Sequence, residues 1–274
     1  MNDSYLQRFG GIARLYGLPA LQRFQAAHVA VVGIGGVGSW AAEALARSGI
    51  GRITLIDLDD LCITNTNRQI HALDPHIGAS KVAVMAQRLR AINPALECTE
   101  LEEFVTEENL GELLVRDYDY VIDAIDSVRA KAAMIACCRR HKVPIITVGG
   151  AGGQIDPTQI AIADLSRTTQ DPLAAKLRSQ LRRFHGFSKN AKRRFDVPCV
   201  YSTEQLRYPQ ADGSVCAAKT ATEEEGAMRL DCNSGFGAST CVTASFGFVA
   251  VSRVLAKLAE QAVSQAGHPV APEA

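Results

Sequence analysis

The chain has 274 residues, a formal net charge of zero and 47% apolar residues. This balance is ordinary for a soluble enzyme and leaves overall charge silent about partners. Its eight cysteines include no C-x-x-C pair, which excludes zinc-ribbon spacing, and the polar start over 1–10 has no apolar core of a secretory signal. A reduced, cytoplasmic setting with thiols mostly buried as small hydrophobes is expected.

Residues 5–21 read as an amphipathic helical arm with Arg8 and Arg14, packed on the body or on a neighbouring subunit. Val29, Val31 and Val32 form an apolar run that fits a buried parallel strand. Gly33, Gly35, Gly36 and Gly38 follow at once, ahead of an alanine-rich helix over 40–47. A strand, a glycine turn and a helix N-terminus make a phosphate site, because backbone approaches the anion closely and free N–H groups point at it. Gly33, Gly35 and Gly38, with Asp57 further on, also fit the dinucleotide fingerprint, so the loop alone is compatible with NAD.

Residues 52–57 are a second buried strand ending in Asp57, placed to hold ribose hydroxyls. The run 58–71 is polar where a dehydrogenase would start its next helix. It sets Asn65, Asn67, Arg68 and Gln69 beside the glycine loop, and a guanidinium suits phosphate oxygens. A helix over 78–92 buries Val82, Met85, Leu89 and Ile92 and carries Lys81 in its first turn. The helix dipole favours anions there, so Lys81 is either a plain exposed lysine or a charge held for an anionic ligand. A strand near 97–101 and a helix near 107–115 follow.

The strand 118–126 brings Asp123 and Asp126 to its rim, and Ser127 caps a helix running to 140. The two acids are either capping residues or magnesium ligands, since Mg²⁺ often uses one or two carboxylates plus phosphates. Strand 143–148 enters the glycine cluster 149–154, read as a tight turn or as a floor for a substrate carbonyl. Residues 159–164 form a further, antiparallel strand.

Residues 165–232 break this rhythm. Lys176, Arg178, Arg182, Arg183, Lys189, Lys192, Arg193 and Arg194 crowd a stretch without one acid. It is either a solvated basic helix and loop or a salt-dependent contact for a nucleic-acid backbone. A strand over 199–208 and a mobile polar loop over 210–226 follow. Residues 236–258 are apolar enough to be flagged as membrane-spanning. Glycine, serine and threonine dilute them, and Arg253 and Lys257 lie on the same helix, so a packed helix in the core or a dimer interface is expected. The fold class is α/β: a Rossmann-like, mostly parallel sheet with helices on both faces, extended by antiparallel strands and a C-terminal helix. One domain is expected over 1–262, with a mobile basic insertion near 176–226 and a disordered tail over 263–274.

Asp57, N-T-N-R-Q at 65–69, Lys81 and D-A-I-D at 123–126 together resemble the ubiquitin-activating-enzyme-like (ThiF/MoeB-type) adenylating superfamily. The glycine doublet Gly35-Gly36 fits that superfamily better than a dehydrogenase. R-F-G-G-I-A-R-L-Y-G near the start, T-Q-D-P-L-A-A-K-L-R and D-C-N-S-G-F-G-A look like its tRNA threonylcarbamoyladenosine dehydratase branch. The resemblance implies ATP-dependent cyclisation of threonylcarbamoyladenosine in tRNA beside the anticodon, through adenylation of the threonyl carboxylate and intramolecular ring closure. It implies phosphates on Gly33 to Gly38, ribose on Asp57, and Asn67, Arg68, Gln69 and Lys81 around the nucleotide. Asp126, with Asp123, would position Mg²⁺. A homodimer is implied, with Arg14 or Arg8 crossing to the partner's site, and cysteine-desulfurase or sulfur-acceptor proteins are further candidate partners. Cys232 is either a thioester-forming thiol or a buried one. The missing C-x-x-C pairs imply no structural zinc. They weigh against an activator of a small sulfur-carrier protein, which stands as the alternative beside a dehydrogenase and a non-catalytic tRNA-binding protein.

Overall fold

The computed structural model describes residues 3–210, 212–217 and 236–266. Cys232 lies outside them, as do most of 210–226 and residues 267–274.

Seven strands make one sheet: β1 (His28–Val32), β2 (Arg52–Ile56), β3 (Glu97–Leu101), β4 (Tyr120–Asp123), β5 (Ile145–Val148), β6 (Ile160–Asp164) and β7 (Pro198–Ser202). Their spatial order is β3-β2-β1-β4-β5-β7-β6, parallel throughout except where β6 runs antiparallel to β7. The apolar runs follow from burial on both faces. Val29 and Val31 pack with Ile53, Leu55, Ile122 and Ile146 on one side, and Ala30 and Val32 with Ile56, Val121 and Ile145 on the other. Strand order reverses between β1 and β4, and in open α/β sheets the crevice at that reversal, beyond the carboxyl ends, takes the ligand.

Helices cover both faces, as expected. On the first lie α2 (Leu18–Ala26), α3 (Gly38–Arg47), α4 (Lys81–Ile92) and α8 (Thr240–Ala266). On the second lie α5 (Leu110–Leu114), α6 (Val128–Arg140) and α7 (Pro172–Phe184). Strands β8 (Tyr208–Pro209) and β9 (Val215–Cys216) add a small antiparallel hairpin.

Three expectations are corrected. The N-terminal arm is two helices: α1 (Asp3–Tyr16) stops at Gly17, whose φ of 90° is a left-handed conformation glycine adopts freely, and α2 restarts with Pro19 in its first turn. The segment 176–226 is no mobile insertion as a whole. Its first part is helix α7, held by buried Ala174, Leu177 and Leu181, and β7 lies inside the sheet between β5 and β6. Residues 263–266, expected in the tail, belong to α8, which continues to Ala266; 267–274 lie outside the described residues.

Helix α8 is long and apolar enough to cross a membrane by length and composition, with 56% of its most apolar window buried. Val242, Phe246, Ala250, Val254 and Leu258 belong to the core it shares with α2 and α3. Its small residues serve that packing: a Cβ at Gly247 would stand 2.7 Å from the Val37 carbonyl oxygen.

Candidate active site

A cavity of about 600 Å³ opens at the carboxyl edge of the sheet, where the order reverses. Gly33, Gly35 and Gly36 line it, with Asp57, Asn65, Arg68, Gln69, Lys81 and Asp126, and Gly149, Ala151 and Gly152 form part of its wall. Gly35 has open space where a side chain would stand, whereas a Cβ on Gly36 would meet Arg68 Cγ at 3.1 Å. Gly38 has another role: a Cβ there would fall 1.8 Å from the Gly33 carbonyl oxygen, so this glycine closes the turn against itself.

Asp57 organises the loop. Its Oδ2 accepts from Ile34 N–H at 2.6 Å and its Oδ1 from Asp59 N–H at 2.9 Å. Burial pushes the Asp57 carboxyl pKa up, and Lys81 opposes that shift. Lys81 is 6% exposed, donates to Asp59 Oδ2 at 2.7 Å and stands 3.9 Å from Asp57 Oδ1. It is therefore a buried, paired cation on the cavity wall. Ser80 caps α4 just before it, accepting from Ala83 N–H at 3.5 Å. Arg68 donates through Nη1 to Thr64 O at 2.9 Å and to Asn67 Oδ1 at 3.1 Å, while its carbonyl accepts from Trp40 Nε1 at 2.9 Å.

Three expected ligand residues stand apart from the cavity. Asp123 is fully buried, paired with Lys131 at 2.9 Å and accepting from Thr147 Oγ1 at 2.5 Å. The rim acids thus differ: Asp123 is sealed within the sheet, and Asp126 is exposed at the cavity. Asn67 donates to Ala238 O at 3.0 Å, tying its turn to the start of α8. Arg14 is exposed on α1, away from the cavity lining of its own chain, whereas Arg8 donates to Ile92 O at 3.0 Å. Among the described residues no group of three or more His, Cys, Asp or Glu side chains could hold a metal ion. Asp126, exposed at the cavity, offers a carboxylate that fits a cation shared with phosphates rather than a protein cage.

Reading the residues one at a time passed over Asp59, Phe104, Lys131 and Asp171. Phe104 is 59% exposed at the cavity lip. Asp171 caps α7, accepting from Ala174 N–H at 2.8 Å, and reaches Gly150 N–H at 3.0 Å, so it also fixes the glycine cluster. The signal for Asp171 was its place before Pro172, a helix-start pattern. The signal for Lys131 was a cation amid alanines on an apolar helix face.

The basic segment divides as well. Lys176, Arg183, Lys189, Lys192, Arg193 and Arg194 are exposed. Arg178 turns inward to donate to Thr168 Oγ1, and Arg182 lies over the Phe195 ring at 5.2 Å and donates to Ser188 O at 3.3 Å.

The ThiF family model matches residues 10–267. The chain is 61% identical over 265 residues to the tRNA threonylcarbamoyladenosine dehydratase of Escherichia coli, covering 97% of this chain and 98% of that one. It is 54% identical over 256 residues to the Haemophilus influenzae protein of the same name, covering 93% and 95%. A solved structure of the E. coli tRNA N6-threonylcarbamoyladenosine dehydratase in complex with ATP superposes with a TM-score of 0.86 at 56% identity, covering 96% of this chain and 98% of that one. With a family model matched from residue 10 to 267 and relatives covered over nearly their whole length, the chain belongs to the ThiF family and, within it, to the tRNA threonylcarbamoyladenosine dehydratases.

Proposed function

We propose that the chain catalyses the ATP-dependent dehydration of threonylcarbamoyladenosine in tRNA to its cyclic form. The observation that carries this is the joining of the glycine loop, Arg68, Lys81, Asp57 and Asp126 around one cavity, in a chain 61% identical to an E. coli protein named for that activity.

A carboxylate is a poor electrophile and needs activation. A threonyl carboxylate oxygen attacks the α-phosphorus of ATP, the bond to the β-phosphate oxygen breaks, and pyrophosphate departs with the electron pair. The carbamoyl oxygen then attacks the acyl carbon of the adenylate and AMP leaves. The carbamoyl nitrogen gives up its proton as the ring closes. The oxygen lost by the substrate ends in AMP, and the modified nucleoside becomes lighter by one water. Closure is intramolecular, so proximity supplies much of the rate.

The residues act by position and charge. N–H groups of the 33–38 loop and the start of α3 face the phosphates. Arg68 and Lys81 stabilise charge growing on phosphate oxygens. Asp57 accepts from the ribose hydroxyls while holding Ile34. Asn67 acts by fixing the turn that carries Arg68. Asp126 would hold Mg²⁺, which when bound shares the phosphate charge. Asp123 has no such role in this reading, because its oxygens are already taken by Lys131 and Thr147.

Arg14 of a partner protomer completes the site in a homodimer; its exposure at the end of α1 and the commitment of Arg8 to Ile92 support that choice. The exposed Lys189, Lys192, Arg193 and Arg194 contact the tRNA backbone, and the enzyme works in the cytoplasm, where its substrate is. The test is nucleoside mass spectrometry of modified tRNA after incubation with ATP and Mg²⁺. A product lighter by one water is expected, and unchanged tRNA beside hydrolysed ATP would reject the reading.

A further inference from the structure

Ile125 is gripped at both its N–H and its C=O by a charge pair sealed from solvent. Asp123 ends β4 with its side chain turned inward. Its Oδ2 accepts from Thr147 Oγ1, on its register partner in β5. Lys131, on α6, donates through Nζ to Asp123 Oδ1 at 2.9 Å and to Ile125 O at 2.8 Å. Ile125 N–H donates back to the same Asp123 Oδ1 at 3.4 Å. Both charged side chains are 0% exposed.

The gripped residue lies between the two halves of the site. On one side, Ala124 and Ile125 press on the glycine loop: a Cβ added to Gly33 would stand 2.9 Å from Ile125 Cγ2 and 3.0 Å from the Ala124 carbonyl. On the other side the next residue is Asp126, exposed at the cavity. Fixing the Ile125 peptide fixes the direction in which Asp126 leaves the chain.

Stability alone gives no reason for the pair. A buried ion pair loses solvation that its attraction barely recovers, and an apolar replacement of the same volume is often neutral or better. Around Lys131, α6 buries Ala132, Ala133, Met134 and Ile135, a setting that suits methionine. An apolar residue cannot hold a carbonyl and an amide in fixed orientation. We propose that Asp123 and Lys131 are positioning residues that aim Asp126 at the cation accompanying ATP, a proposal that rests on the reading of Asp126 given above.

The test is calorimetric ATP binding with and without Mg²⁺, and the quantity read is the Mg²⁺-dependent gain in affinity. The double variant D123N/K131M avoids leaving a lone buried charge. It is expected to bind ATP without Mg²⁺ as the wild type does, and to lose about tenfold of the Mg²⁺-dependent gain, the usual scale for losing a ligand-orienting partner. In a D126A background the same pair of changes is expected to cost nothing more. Lys131→Arg, which keeps charge and donors, is expected to retain most of the gain. Leu181→Ala, buried on α7 and away from the cavity lining, is the stability control: it is expected to lower Tm and leave the gain intact.

Full Mg²⁺ gain in D123N/K131M, or losses that add to those of D126A, would overturn the clamp. If the double variant does not fold, Lys131→Met alone is read against Leu181→Ala, and equal Mg²⁺ gains in those two would overturn it as well. A wild type with no Mg²⁺ gain, or D126A that keeps it, would instead overturn the assignment of Asp126.

Discussion

Lys81 lies between Asp59 at 2.7 Å and Asp57 at 3.9 Å, and the charge is held in place before any ligand arrives. Both partners come from the stretch that leaves β2, so the ammonium group is oriented towards an incoming phosphate without reorganising. His71, in the same polar turn, is the opposite case. It is 1% exposed, and neither ring nitrogen has a hydrogen-bond partner among the described residues. Burial, with Lys81, Arg88 and His76 facing it, pushes its pKa down to about 3 from an ordinary 6.5. The neutral ring belongs to the folded state. Its contribution is complete above pH 6.5 and is lost as pH falls towards 3, because the unfolded chain takes up a proton that the folded chain refuses. One such proton costs about 1.4 kcal/mol per pH unit. His71→Leu is expected to flatten the acid limb of Tm against pH below 6.5, and a limb of unchanged slope by scanning calorimetry would remove His71 as its source.

At the scale of elements, the glycine loop and the basic segment each mix structural with functional positions. Gly38 has no room for a side chain, since a Cβ would fall 1.8 Å from the Gly33 carbonyl oxygen. Gly38→Ala is expected to cost at least about 4 kcal/mol, the diagnostic range for a backbone clash. Gly35 meets nothing within 4 Å and has an ordinary φ. Gly35→Ala should stay within about 0.5 kcal/mol of wild type in stability while weakening ATP binding, because the new methyl stands where phosphate would approach. Urea unfolding and ATP titration of the same two proteins check the contrast. In the basic segment, replacing Lys189, Lys192 and Arg193 by glutamine is expected to weaken tRNA binding uniformly and to lower the salt slope by up to about 3, one unit for each phosphate left without its cation. Arg178→Gln should instead lower Tm, since its guanidinium donates to Thr168 within the fold. Filter binding across a salt series separates the two behaviours.

The whole molecule sets the site at the switch between β1 and β4, and in the proposed homodimer one further charge would come from the partner. Arg14 is exposed on α1, and no Arg14 atom belongs to the cavity of its own chain. A shared site makes a specific prediction. Arg14→Ala and Lys81→Ala should each be inactive alone. Mixed one to one and allowed to exchange, they should recover about a quarter of wild-type turnover, because half the dimers are mixed and each carries one intact site. No recovery after verified exchange would place Arg14 outside the partner's site. Helix α8 contributes at this scale too. It buries one face on α2 and α3, and its first turn is laced to the polar turn by Thr240 donating to Asn67 O at 2.5 Å.

What the sequence by itself determined was whatever depends on neighbours along the chain. The apolar strands, the glycine turn, Asp57 at a strand end and the cap Ser127 all rest on short-range periodicity and on capping chemistry. The nucleotide-binding edge was legible for the same reason, as was Arg68 beside it, whereas Lys81 and Asp126 each stood between two readings until the family resemblance placed them at the nucleotide. Tertiary structure alone decided which of two equivalent-looking acids, Asp123 and Asp126, turned inward, and which of the basic residues around Arg178 stayed in solvent. A buried charge is tolerable only where a partner stands within hydrogen-bonding reach. Those partners, Lys131 from α6, Thr147 from the neighbouring strand and Thr168 from beneath α7, are supplied by packing rather than by position in the chain.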